Sequence, residues 1–172
     1  MRRTRTNAAF TLVELVIVVV IIGIIAAIAV PRISRGAKGA DEAALRADLA
    51  AVRNAIDLYA AEHGGDFPGA KQVGLPTVVE AFESQLAKYT DVNGNVSDMK
   101  KDEFIYGPYI RRIMPPLPVG MNRGNTKTSV GDTGPTVNVA GDFGWIYNFT
   151  IGEIIANADD LEDAGVLTYD LW

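Results

Sequence analysis

Between Phe10 and Val30 the chain reads "FTLVELVIVVVIIGIIAAIAV", with no Lys, Arg or His, one hydroxyl at Thr11 and one acid at Glu14. As an α-helix rising ~1.5 Å per residue, this run covers roughly 32 Å, enough for the hydrocarbon core of a bilayer. A helix apolar all round has no face to give to water, so lipid or other apolar helices must cover it. Arg2, Arg3 and Arg5 precede the run with no acid among them. By the positive-inside rule they hold that end in the cytoplasm, and everything after Pro31 then lies beyond the inner membrane.

Glu14 is the residue that needs a reason. A carboxylate within a transmembrane helix costs about 2.5–3.5 kcal/mol on insertion scales. Near the cytoplasmic end the cost shrinks, because the side chain reaches toward the interface. Two ordinary readings leave the acid unexplained. One is a secretory signal peptide, with Ala27 and Ala29 in an A-x-A arrangement for cleavage. The other is an uncleaved anchor holding a periplasmic binding or sensor domain. A third reading supplies a cation at the same depth: the α-amine of Phe10, created if Met1–Ala9 is removed on the cytoplasmic side.

The stretch "FTLVELVIVVVIIGIIAAIAVPR" resembles the N-terminus of type IV pilins and of type II secretion pseudopilins, over roughly residues 2 to 32. The resemblance implies a leader, residues 1–9, cut between Ala9 and Phe10 by prepilin peptidase. It further implies N-methylation of Phe10, an assembly role for Glu14, and a helix bend at Pro31. Ala9 stands where the family normally has Gly, so the cut is expected to be slower rather than lost. Glu14 would pair with the Phe10 amine of a neighbouring subunit and mark the register of assembly. Two charges that are costly alone in lipid become tolerable when they meet.

Beyond Pro31, which removes a helical N–H and is expected to bend the helix, a second pattern takes over. Leu45, Leu49, Val52, Ile56 and Tyr59 recur at spacings of three and four, the stripe of an amphipathic helix. Ala-rich neighbours favour that helix, and Gly64 and Gly65 end it. One long helix from Phe10 to about His63 follows. A second helix is expected with Pro76 in its first turn, running to about Lys88 with Val79, Phe82 and Leu86 on one face. "DVNGNVSD" reads as a loop around Asn93-Gly94, and Gly107–Pro135 as an extended, looping segment. Phe143–Phe149 and "EIIAN" predict a β-hairpin, with "PTVNVA" as a further strand.

Strands after a long helix give an α+β fold: the helix, hydrophobic in its first half, packs its second half against a small C-terminal antiparallel sheet. The segments are a leader at 1–9, a membrane and assembly helix at 10–30, an amphipathic helix at 31–63 and a globular periplasmic region at 64–172. The C-terminal residues around "GWIYNFTIGEIIAN" also resemble those of pseudopilins.

Chemistry finds little support. Over the whole chain 16 basic residues face 21 acids, and three of the bases precede the apolar run. The remainder is acidic, which argues against nucleic acid as a partner. There is no cysteine, so disulfides and thiolate metal sites are impossible. His63 is the lone histidine, which excludes a His-based zinc cage, and at a helix C-terminus it reads as a solvated residue favoured by the dipole. Ser34, Ser84, Ser97 and Ser129 lack a nucleophile-elbow context, and no phosphate-binding glycine motif occurs. Asp159, Asp160, Glu162 and Asp163 are a weak Ca²⁺ candidate without EF-hand spacing, better read as a solvated acidic loop. Arg111, Arg112, Arg123 and Lys127 read as a modest basic region that meets solvent.

The expectation is a non-enzymatic subunit without cofactor, stored as a single-pass inner-membrane precursor with a periplasmic C-terminal domain. Its partners are prepilin peptidase, the inner-membrane assembly machinery and further copies of itself in a helical filament. A pseudopilus is preferred over a surface pilus. The alternative is the periplasmic binding or sensor domain on an uncleaved anchor.

Overall fold

The computed structural model of the chain describes residues 10–72, 74–111, 114–134 and 141–158, with the backbone alone for 30–35. Its first element, helix α1, is Leu12–Glu62, 51 residues long, with helical backbone through Pro31. The helix ends as its glycines require. Gly64 and Gly65 take φ of 70° and 94°, and the Gly65 N–H donates back to the Ala60 carbonyl at 2.8 Å. That six-to-one bond is the Schellman closure, which a side-chain-bearing residue at Gly64 would strain.

The chain divides into two compact units, Met1–Ala40 and Asp41–Trp172. In the first unit, the window Leu12–Ala29 has a mean hydropathy of 3.2 and none of it is buried. Among the described residues it is the one helix long and apolar enough to cross a membrane.

The second unit has a core of its own. Leu45, Leu49, Val52, Ile56 and Tyr59 of α1 are all buried, the five residues whose spacing marks the amphipathic stripe. Around them lie Phe82, Leu86, Met114, Leu117, Trp145, Tyr147 and Ile154 in one apolar cluster. Each large apolar side chain so buried contributes about 1.5–3 kcal/mol. Helix α2, Val78–Ala87, turns Phe82 and Leu86 inward. It begins at Val78, two residues after Pro76. Thr77 is the N-cap, its hydroxyl accepting the Glu80 N–H at 3.1 Å, so Pro76 stands before the helix rather than in its first turn. "TVVE" is a capping-box sequence, and a side-chain acceptor at the cap outweighs the advantage of proline at the first helical position.

Among the described residues five short strands follow: β1 Tyr89–Thr90, β2 Val96–Ser97, β3 Thr128–Gly131, β4 Trp145–Asn148 and β5 Glu153–Ala156. β1 and β2 form a two-stranded antiparallel ladder flanking the Asn93-Gly94 turn. β4 and β5 are the expected antiparallel hairpin, with Tyr147 opposite Ile154. β3, inside the segment expected to loop, pairs parallel with β4, Thr128 opposite Trp145, so the three-stranded sheet is mixed in the order β3-β4-β5. The "PTVNVA" strand lies outside the described residues. The architecture is α+β: a long N-terminal helix, apolar in its first half, and small C-terminal sheets whose Trp145 and Ile154 share a core with its second half.

Polar bonds fix the Gly- and Pro-rich stretch. The Trp145 indole N–H donates to the Pro115 carbonyl at 2.8 Å. The Leu117 N–H donates to the Asn125 carbonyl at 3.0 Å, and the Gly124 N–H donates to the Leu117 carbonyl at 2.7 Å. The Arg53 guanidinium donates to the Ile154 carbonyl at 3.1 Å, tying α1 to β5. Gln85 is fully buried on α2 and works as a three-way clamp. Its Oε1 accepts the Gly69 N–H at 2.7 Å, and its Nε2 donates to the carbonyls of Lys71 and Gly94 at 2.8 and 2.9 Å.

Candidate assembly site

Phe10 and Glu14 lie at the start of α1. Phe10 precedes the helix and is 79% exposed. Thr11 is the residue before the first helical turn, and Glu14 is three residues after it. Their bonds are reciprocal. The Thr11 N–H and hydroxyl both donate to Glu14 Oε2, at 2.9 and 2.7 Å, and the Glu14 N–H donates to Thr11 Oγ1 at 3.2 Å. This T-x-x-E capping box satisfies two donors that a helix start otherwise leaves open. It is also a reason for Glu14 that sequence reasoning missed, although the four residues stand in plain view. A carboxylate near a helix N-terminus also has the favourable sign for the dipole.

The box uses Oε2 and leaves Oε1 outside it. Glu14 can therefore stay held in one orientation by its own chain while accepting a further donor. The Thr11 amide belongs to the Phe10–Thr11 peptide, so removal of residues before Phe10 leaves both box donors in place. A cationic α-amine at Phe10 would then stand one peptide from the box.

The remaining sequence candidates are placed as follows. Ala9 lies outside the described residues, as do Asp159, Asp160, Glu162, Asp163 and Arg112. Pro31 has helical backbone, and its side chain is outside the description. Among the described residues no three of His, Cys, Asp and Glu gather as a metal group.

Two members of the basic region stand in ion pairs. Arg123 meets Asp41 at 2.9 Å, and Lys127 is bonded to Asp142, whose carboxyl is held below its usual range by that contact. Arg111 is exposed at a groove of about 1020 Å³ that Asp48, Val52, Ala87, Tyr109 and Met114 also line. Burial pushes the Asp48 carboxyl up.

His63 is not solvated. It is 4% exposed, stacked on Tyr59 at 3.8 Å, with Nδ1 2.8 Å from the Tyr59 carbonyl oxygen. The cause is distant in sequence. Tyr106 and Tyr109 come back over the end of α1, their rings 5.3 and 6.4 Å from the imidazole, and the Tyr109 hydroxyl donates to Glu62 at 2.6 Å. Helix-end statistics carry no information about such a return.

Comparison with known proteins bears on the first unit. Residues 4–30 match the family model described as the prokaryotic N-terminal methylation motif, the signature of type IV pilins and pseudopilins. No curated protein and no solved structure matches the chain. The motif supports a pilin-like or pseudopilin precursor, and implies processing by prepilin peptidase and filament assembly in general terms. Together with the one apolar helix among the described residues, it supports a membrane-anchored, single-pass protein.

Proposed function

We propose that the chain is a structural, non-enzymatic subunit of a type II secretion pseudopilus or a type IV pilus-like filament. It is held in the inner membrane by residues 10–30, with its N-terminus cytoplasmic and residues 64–172 periplasmic. Prepilin peptidase cuts between Ala9 and Phe10, and the new terminus is methylated. Residues 31–63 lead from the apolar segment into the globular region, and Pro31 loosens the helix between them. Identical subunits related by a rotation that does not close give an open helical filament. The cysteine-free composition and the "GWIYNFTIGEIIAN" stretch favour the pseudopilus.

One observation carries this reading. The methylation motif at residues 4–30 coincides with a helix none of whose Leu12–Ala29 window is buried. Lipid covers such a surface before assembly, and neighbouring helices cover it afterwards. Glu14 then acts as a register mark. Its unboxed oxygen meets the Phe10 amine of an adjacent copy, and a misplaced subunit leaves the acid buried without that partner. The test is Glu14→Ala in cells assembling the filament. Membrane insertion is expected to be intact or improved and filament incorporation to fall. Filaments of normal number and length from this variant would refute the pairing.

The second reading, a periplasmic binding or sensor domain on an uncleaved anchor, is favoured by the capping box itself. With Thr11 as partner, Glu14 needs no neighbouring subunit. That reading predicts no effect of Glu14→Ala beyond a frayed helix start.

A further inference from the structure

The turn between β1 and β2 has unusual demands at Gly94. Its φ is +85°, it is buried, and a Cβ there would lie 2.8 Å from the Tyr59 hydroxyl oxygen and 3.0 Å from Gln85 Nε2. Its carbonyl accepts the Gln85 Nε2–H at 2.9 Å. Both the backbone conformation and the available space therefore require glycine. The residue before it, Asn93, is exposed. Asn93 gives its backbone N–H to Asp91 Oδ1 at 2.9 Å, and among the described residues its carboxamide takes no part in the turn's bonds. The fold thus presents a solvent-facing asparagine side chain directly before an obligatory glycine.

We propose that Asn93 is a site of spontaneous deamidation that the folded turn restrains. In the reaction the Gly94 backbone nitrogen attacks the Asn93 side-chain carbonyl carbon. A carbon–nitrogen bond forms, the bond to Nδ2 breaks, and ammonia leaves with the proton from the Gly94 N–H. Water then opens the five-membered imide at either carbonyl, giving aspartate or isoaspartate at position 93. No oxidant, metal or enzyme is required, and glycine's missing side chain leaves the attacking nitrogen unhindered.

The restraint lies in the same turn. The Gly94 N–H donates to the Asp91 carbonyl at 3.0 Å, and Asp91 itself is tied to Asn95 through both backbone and side chain at 2.9 and 2.7 Å. Attack requires that N–H to leave its acceptor while Gly94 moves out from between Tyr59 and Gln85. Reaction therefore proceeds through the opened turn, at a rate scaled by how often it opens. Isoaspartate adds a methylene to the main chain immediately before Gly94. That displaces the Gly94 carbonyl from Gln85 and loosens the clamp on Gly69 and Lys71. The inference is independent of the filament reading, since it uses only residues of the second unit.

The experiment incubates the purified full chain in detergent at mildly alkaline pH, with and without a denaturing concentration of urea. Peptide mass spectrometry measures the amide-to-acid conversion at Asn93, and isoaspartate is distinguished by its fragmentation. Conversion is expected in both samples, slower in the folded chain by about ten-fold or more because opening gates it. Asn93→Gln, whose ring closure would need a six-membered imide, is expected to show none. The folded sample enriched in isoaspartate is expected to be cut faster by protease within residues 89–97. No conversion at Asn93 in urea, or equal rates with and without urea, would overturn the proposal.

Discussion

Replacement of Gln85 by methionine isolates what the buried clamp contributes, because it keeps side-chain volume and removes all three hydrogen bonds. Gln85 is 0% exposed, and two of its partners, the Gly69 N–H and the Gly94 carbonyl, belong to buried residues. A buried polar group left without a partner costs about 1–3 kcal/mol. Stranding these two gives about 2–6 kcal/mol, a large part of the 5–15 kcal/mol typical of a domain. The Lys71 carbonyl adds little, since that residue is exposed and water replaces Gln85 there. The assay is urea unfolding of the full chain in detergent, followed through the fluorescence of Trp145, which is fully buried in the same core. The midpoint should fall while the slope stays constant, as expected when the change in exposed surface is unaltered. A loss below about 1 kcal/mol would refute the reasoning, because it would mean that the two groups find other partners or water.

Two further outcomes follow from the hydrogen bonds. Thr11→Ala removes the hydroxyl from the capping box and should destabilise the start of α1 by about 1 kcal/mol, read as faster amide exchange at Val13–Leu15 with no change beyond Ala29. Burial pushes the Asp91 carboxyl up, but bonds from Asn95, Asn93 and Gly94 outweigh it and leave its pKa below the usual value. A depressed folded pKa contributes stability that is fully present above the unfolded value and lost as pH falls through the folded one. Acid titration should therefore weaken the β1–β2 turn below the ordinary carboxylate range, and Asp91→Asn should flatten that limb of the curve.

Periodicity and turn chemistry account for what sequence could reveal. The Leu45–Tyr59 stripe, the Gly64-Gly65 stop and the β4–β5 hairpin depend on neighbours within a few residues, and the structure carries all three. The β3 strand is not legible locally, because "TSVG" is short and sits among glycines, and its parallel partner, β4, is reached only after an intervening connection. The burial of His63 is not legible locally, because Tyr106 and Tyr109 cover it from more than forty positions away. Arg123 and Lys127 are near neighbours in sequence, whereas each is joined to an acid elsewhere, Asp41 and Asp142. Gln85 gave no local sign, being an ordinary polar residue in a helical pattern. At the candidate assembly site the position of Glu14 was legible, and so was its sequence relation to Thr11.

Mass spectrometry of the N-terminus of the native, membrane-extracted protein tests the filament account most directly. The account predicts a chain that begins at Phe10 and bears one added methyl group on its α-amine. A chain that still begins at Met1 would contradict it, because the amine that Glu14 is proposed to meet would not exist, and one that begins near Val30 would remove Glu14 altogether.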